Sequence, residues 1–227
     1  MSREPHFDRQ REAMVSTQLR ARGIRDPRVL AAMAAVPREE FVPTGSQGDA
    51  YADQPLPIGA AQTISQPYVV ARMAELAAIR PTDRVLDVGF GSGYQTAVLT
   101  HLAARVHGVE IRRELAEEAA ARLATLGLGD RVELRVGDGG YGWPDRAPFD
   151  VILVAAAAAK LPAPLVAQLA DGGRLVIPLG GPGMQELTRV TRTTTARGEE
   201  LRQEAMGAVR FVAFMGDYGE RLAPGVN

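Results

Sequence analysis

The 227-residue chain has no cysteine. That excludes a disulfide framework, a thiolate-held metal and a cysteine nucleophile. Aromatic residues are scarce at 5%, with one tryptophan, Trp143, and only three histidines. His6, His101 and His107 have no metal-ligand partners at suitable spacing, so each reads as a structural or surface residue and no metal is expected. Charge of either sign is not in excess: 26 Lys and Arg against 27 Asp and Glu leave a net −1. No global field therefore favours nucleic acid or an anionic membrane. Long hydrophobic runs are missing too. The longest, Val151 to Ala159, ends at Lys160 and is too short to span a bilayer. The N-terminal Met1-Ser-Arg-Glu-Pro-His6 has no apolar signal core, so the expected location is cytoplasmic.

What is present is an ordinary globular composition, 46% hydrophobic and 23% charged. A chain of this length buries roughly 70% of its unfolded surface, enough for one full domain. Residues 8–22 read as a helix with Met14, Val15 and Leu19 on one side, closed by Gly23. Asp26-Pro27 is a helix start, a capping residue followed by proline at the first position. Val29, Leu30, Met33 and Ala34 continue that helix until Pro37. Pro43 to Gln62 is dense in Gly, Pro and Asp and reads as a long loop, a candidate lid. A further helix begins near Ser65, with Val69, Val70, Met73, Leu76 and Ala77 spaced for one buried face.

From Arg84 the pattern alternates. Strands at 84–88, 105–110, 131–136 and 149–154 are interleaved with helices near 94–104, 112–126 and 162–169, and a fifth strand follows at 172–178. Such alternation predicts a parallel sheet with right-handed crossovers. After Gly183 the runs 185–194 and 201–213 are strand-like, joined by the turn signal Ala196-Arg-Gly-Glu199, and should add antiparallel strands.

The richest segment is Arg84-Val-Leu-Asp-Val-Gly-Phe-Gly-Ser-Gly-Tyr-Gln95. A short apolar strand runs into Gly89, Gly91 and Gly93 at G-x-G-x-G spacing, and a helix follows. Glycines there let the backbone turn and approach a ligand closely, at the carboxyl edge where open α/β sheets bind nucleotide-like cofactors. Asp87 would repel a pyrophosphate but suits a cationic amino-acid ligand, and the spacing differs from the dinucleotide G-x-G-x-x-G. The run resembles motif I of the class I S-adenosylmethionine methyltransferases. That resemblance implies a Rossmann-like α/β fold, a mostly parallel seven-stranded sheet with helices on both faces and antiparallel C-terminal strands, and S-adenosyl-L-methionine as cofactor. Asp87, Gly89, Gly91, Ser92 and Gly93 would hold the cofactor. Glu110, at the end of the second strand with Ile111 beside it, would accept the ribose hydroxyls. Asp138, in Gly137-Asp-Gly139 after the third strand, would accept from the adenine amino group, with Gly139 allowing close approach. Tyr94 and Gln95 would help wall the cofactor.

Upstream lies Leu56-Pro-Ile-Gly-Ala-Ala-Gln-Thr-Ile-Ser-Gln-Pro67. It closely resembles the pre-motif of the protein L-isoaspartate O-methyltransferases, Leu-Pro-Ile-Gly-x-Gly-Gln-Thr-Ile-Ser-x-Pro. Val36-Pro-Arg-Glu-Glu-Phe-Val42, the stretch from Gly137 to Asp150, and Ala208-Val-Arg-Phe-Val212 are similar to further segments of that family, so the resemblance covers nearly the whole chain. It implies one methyltransferase domain over 1–227: N-terminal helices and a substrate or lid segment to residue 80, a cofactor-binding core at 81–180, and antiparallel strands with a tail at 181–227. It also implies methyl transfer to the free α-carboxylate of L-isoaspartyl residues in damaged proteins and peptides. The ester closes to a succinimide that can reopen to aspartate. By the same resemblance Ser65 is the active-site serine, positioning the carboxylate rather than attacking. Gln62, Thr63, Ile58, Ala155 and Val212 would surround the substrate. The enzyme should act as a monomer, with no nucleic acid or membrane partner.

A carboxylate, with a pKa near ~4, is already an anion at neutral pH and needs no general base, which suits a chain without a catalytic triad. Against the family pattern, Ala60-Ala61 replace a residue–Gly pair, which alters the turn if φ is positive there. Phe90 occupies a position usually small, Ala155 one commonly Thr, Ala158-Ala159 one rich in proline, and Ala213 one held by proline. Two other readings stay open: a related carboxylate methyltransferase of a dedicated peptide, and a non-catalytic S-adenosylmethionine-binding module. A nucleic-acid amine methyltransferase would want an Asn/Asp-Pro-Pro-aromatic segment where Ala155 to Ala159 stand.

Overall fold

The computed structural model describes residues 4–220. The tail expected beyond Glu220 lies outside them. Two helical stretches open the chain, α1 (Glu4–Ala13), continued by a π-helical turn over Met14–Arg20, and α2 (Pro27–Ala35). Asp26 caps α2 as its sequence requires, its carboxylate accepting from the Arg28 N–H at 2.8 Å. The segment expected to be one long loop is instead organised. After a 3-10 turn at Arg38–Phe41, it holds another at Thr44–Asp49 and then a hairpin of β1 (Leu56–Gly59) and β2 (Gln62–Ile64). Gly59, Ala60 and Ala61 turn that hairpin with φ of 94°, 49° and 54°. Two alanines therefore occupy left-handed backbone that ordinarily selects glycine or asparagine. Helix α3 (Pro67–Ala77) follows.

The central sheet has seven strands, β3 (Arg84–Val88), β4 (Arg105–Glu110), β5 (Val132–Val136), β6 (Phe149–Val154), β7 (Leu169–Leu179), β8 (Gln185–Thr195) and β9 (Gly198–Val209). Their order is β5-β4-β3-β6-β7-β8-β9, parallel through β7 and antiparallel thereafter. The strand order reverses at β3, between β4 and β6, and a crevice opens there at the carboxyl ends. Along the buried strands alternate residues serve opposite layers. Val85, Val151, Leu153 and Val176 pack toward α2, α3 and α4 (Tyr94–Thr100), while Leu86, Val88, Ile152, Val154, Leu175 and Ile177 pack the other way. Both faces being buried explains why these strands read as continuous apolar runs.

The helical cover is uneven. Helix α5 (Arg113–Thr125) joins the first face, but the second carries only the five-residue α6 (Ala163–Ala167), reinforced by Trp143, Phe149 and Phe214. Helices thus lie on both faces, with turns and the C-terminal segment doing much of the covering of the second. His107 sits in that layer, edge-on to Trp143 and Phe149, with burial pushing its pKa down. It is a core residue. At the far edge β9 is largely exposed and bears ion pairs from Glu204 to Arg189 at 2.8 Å and to Arg202 at 2.9 Å, with Arg192 meeting Glu199. Among the described residues no helix is long and apolar enough to cross a membrane, and no group of three His, Cys, Asp or Glu could hold a metal.

Candidate active site

The ladder of β3 continues past its end. The Gly89 N–H donates to the Val109 carbonyl at 2.8 Å, and the Ala155 N–H donates to the Val88 carbonyl at 2.9 Å. These bonds bring the glycine loop, the end of β4 and the residue after β6 side by side. A cleft opens among them, walled by Val88, Gly89, Gly91, Val109, Glu110 and Ile111 from the sheet. Gly139 and Ala155 close one side, and Gln62 and Thr63 of β2 close another. The chain leaves β9 at Val209 and folds back, Ala157 N–H bonding the Val212 carbonyl and Phe214 N–H the Ala157 carbonyl, each at 2.8 Å. That return lays Val212, Ala213, Phe214 and Met215 over the cleft.

Glu110 and Arg112 are the charged residues of the cleft wall. Glu110 is the buried one. Its Oε2 accepts from the Gly91 N–H and its Oε1 from the Arg112 N–H, both at 3.0 Å. Burial pushes its pKa up, opposed by those backbone donors. A buried carboxylate flanked by apolar Val109, Ile111, Phe214 and Met215 fits an adenosine: hydroxyls for the acid, a flat base for the apolar walls. Gly139 fits as well, since a Cβ there would run into the Val88 side chain.

Four expected cofactor residues lie outside this cleft. Asp87 is fully buried beneath the cleft, its oxygens accepting from Gln95 Nε2 at 2.8 Å and Thr96 Oγ1 at 2.7 Å. Burial raises its pKa to about 6, against the pull of those two donors. It anchors the first turn of α4 rather than facing a ligand. Asp138 also turns inward, accepting from the Gly140 and Asp217 N–H groups, each at 2.8 Å, so it ties the third strand's loop to the returning C-terminus. Gly93, at φ 87°, starts α4 where a Cβ would meet Ala119. Ser92 joins Tyr94 and Gln95 around a small adjoining recess that also touches Ser65. Phe90 points away from the cleft into a cluster with Ala116, Ala119 and Leu134. Its bulk does not narrow the site.

A second cavity of about 650 Å³ adjoins the cleft. Ser65, Gln66, Tyr68 and Val69 form one side and Ala208 to Val212 the other, with Met184 at the rim. Arg22 stacks on the Tyr68 ring at 3.6 Å and pairs with Asp53. Thr63, Ala155 and Val212 line both spaces. The helix expected to begin near Ser65 starts at Pro67, and Ser65 is not its cap. Gln66 takes the capping position without a side-chain bond, and Ser65 lies one residue earlier, half-buried, with its hydroxyl free of capping duty. Ile58 lies over the glycine loop, its Cδ1 3.1 Å from where a Gly91 Cβ would stand, and lines neither space. Phe214 and Met215 were not expected at the site, nor was the bond that buried Arg38 makes to the Ser65 carbonyl beside it. Apolar Phe214 and Met215 look in sequence like any strand residue, whereas an arginine inside the apolar-flanked Val36–Val42 run was a usable signal.

Sheet order, the glycine loop and the buried acid at the end of β4 together define a Rossmann-like S-adenosylmethionine-dependent methyltransferase. A model of the protein-L-isoaspartate(D-aspartate) O-methyltransferase family matches residues 9–218. A protein-L-isoaspartate O-methyltransferase of Methylorubrum populi is 55% identical over 213 residues, covering 93% of this chain and 98% of that one. One from Methanoregula boonei is 52% identical over 210 residues, covering 92% and 94%. A crystal structure from Plasmodium falciparum, in complex with S-adenosyl-L-homocysteine, superposes with a TM-score of 0.76 at 25% identity over 90% of this chain and 97% of its own. The chain belongs to the protein-L-isoaspartate O-methyltransferase family.

Proposed function

We propose that the protein methylates the free α-carboxylate of L-isoaspartyl residues in peptides and damaged proteins, using S-adenosyl-L-methionine. One observation carries the reading: Thr63, Ala155 and Val212 wall both the cleft that holds Glu110 and the 650 Å³ cavity that holds Ser65. A donor in the first space and a carboxylate in the second meet at that common wall. When bound, the cofactor supplies an electrophilic methyl on a sulfonium, which a carboxylate oxygen takes as the sulfur–methyl bond breaks toward sulfur.

The chain supplies alignment. Glu110 holds the ribose and, through Gly91, fixes the glycine loop. Ser65 Oγ donates to the incoming carboxylate and turns its other oxygen toward the methyl. Positive and negative charge cancel as the transfer proceeds, so the apolar walls of Ala155, Phe211 and Val212 favour it. Fixing the partners this way can contribute up to ~7–11 kcal/mol. Both spaces are built from one chain, which suits a monomer as the working unit. Residues Ala208 to Val212 form an open wall suited to an extended, flexible peptide.

The test is mass spectrometry of a matched isoaspartyl and aspartyl peptide pair incubated with enzyme and cofactor. One methyl added to the isoaspartyl peptide alone is the expected result. Methylation of neither, with cofactor binding intact, would assign the site to a dedicated substrate or to binding only. Ser65→Ala should lower turnover far more than cofactor affinity.

A further inference from the structure

Arg38 is fully enclosed, although arginine is among the residues least often buried. Burial works against its charge and lowers its pKa. Its hydrogen bonds reach two separate parts of the chain. Nε donates to the Ala50 carbonyl at 2.7 Å and Nη2 to the Ser65 carbonyl at 2.8 Å. The guanidinium carbon also lies 4.7 Å from the centroid of Tyr94, the first residue of α4. Its own N–H is held by Tyr51 Oη at 3.2 Å, and Tyr51 donates in turn to Glu39. The segment before the hairpin, the Ser65 peptide and the helix after the glycine loop therefore converge on one side chain.

An apolar replacement would leave the Ala50 and Ser65 carbonyls without these donors, so Arg38 contributes to stability. It also fixes the orientation of the Ser65 peptide, and with it the backbone from which the Ser65 side chain projects. The planar fork of arginine can hold two carbonyls at once while stacking on an aromatic ring, whereas lysine offers a single charged point.

We propose that Arg38 is a positioning residue for methyl transfer. By gripping the Ser65 carbonyl and packing on Tyr94, it sets the separation between the segment that receives the carboxylate and the loop that receives the cofactor. The proposal rests on the methyltransferase reading above.

The experiment uses the full chain as wild type, Arg38→Lys, Arg38→Met, Ser65→Ala and the Ser65→Ala/Arg38→Lys double variant. Each is measured for kcat and KM on the isoaspartyl peptide, for S-adenosylhomocysteine affinity by calorimetry, and for thermal midpoint. Arg38→Lys should lower kcat about 10- to 100-fold, the scale of a misplacement near 1 Å, and leave cofactor-product affinity nearly unchanged. Arg38→Met should be at least as slow. On the Ser65→Ala background the lysine change should lower kcat by less than about twofold further, because residues acting through one another do not multiply. Equal loss of kcat and cofactor affinity, or full multiplication in the double variant, would reduce Arg38 to a packing element. Wild-type inactivity on the peptide would overturn the function itself, whereas wild-type turnover with unchanged Arg38→Lys kcat overturns only the role of Arg38.

Discussion

Gly91 donates its backbone N–H to the Glu110 carboxylate across 3.0 Å, so the glycine loop and the acid at the end of β4 form one unit. Replacing Glu110 by Gln keeps the shape and removes the charge. Charge-assisted bonds are worth about 1.5–3 kcal/mol, so S-adenosylhomocysteine affinity should fall roughly 10- to 100-fold. Calorimetry reads the change directly. Unaltered affinity would remove Glu110 from the cofactor site.

Asp87 gives a pH signature. Its pKa of about 6 in the folded protein stands above the ordinary aspartate value of ~3.9, so the folded state holds the proton more tightly than the unfolded one. Its stabilising contribution is complete below about pH 4 and is lost as pH rises through about 6, an effect of at most about 2–3 kcal/mol. Urea unfolding of the ligand-free protein at pH 5 and pH 7.5 should show that decline. Asp87→Asn should flatten it, and an identical slope in the variant would refute the assignment.

The hairpin turn should be improvable. Ala61 at φ 54° carries a penalty that glycine lacks, roughly 1–2 kcal/mol before glycine's extra unfolded-state entropy is deducted. Ala61→Gly should raise stability by about 0.5–1 kcal/mol, read as a higher thermal midpoint. A β-branched residue there should destabilise. A lower midpoint for the glycine variant would mean that the turn is not strained.

Phe90 should matter for folding and not for substrate choice. It is buried against Ala116, Ala119 and Leu134, away from both cavities. Phe90→Ala should cost about 3–5 kcal/mol. Among folded molecules, the ratio of isoaspartyl to aspartyl turnover should stay constant, and a changed ratio would place Phe90 at the site.

Much of this was legible in the residues. The parallel strands announced themselves because both faces are buried, and the glycine loop because its backbone takes φ values of 75°, 52° and 87° at Gly89, Gly91 and Gly93. The β1–β2 hairpin was not legible: its strands are short, Pro57 interrupts the first, and Ala60-Ala61 lack the Asn-Gly signature of their turn. Helix α6 is shorter than its apolar pattern suggested because β7 begins at Leu169, ahead of the Gly172-Gly173 pair that looked like its boundary. Acidic type and spacing located Asp87 and Asp138 near the cleft, but spacing cannot say which way a carboxylate faces. Glu110 meets the cleft, while the other two are consumed by neighbouring donors.

The outer strand β9 has a consequence for how this sheet meets other chains. An unpaired strand edge is a template for adding another strand, and a peptide held nearby would be a ready recruit. Glu199, Glu200, Arg202 and Glu204 crowd that edge with charge, and any chain zipping along it would have to displace their water and ion pairs. That edge of the sheet is therefore guarded against pairing with a passing chain.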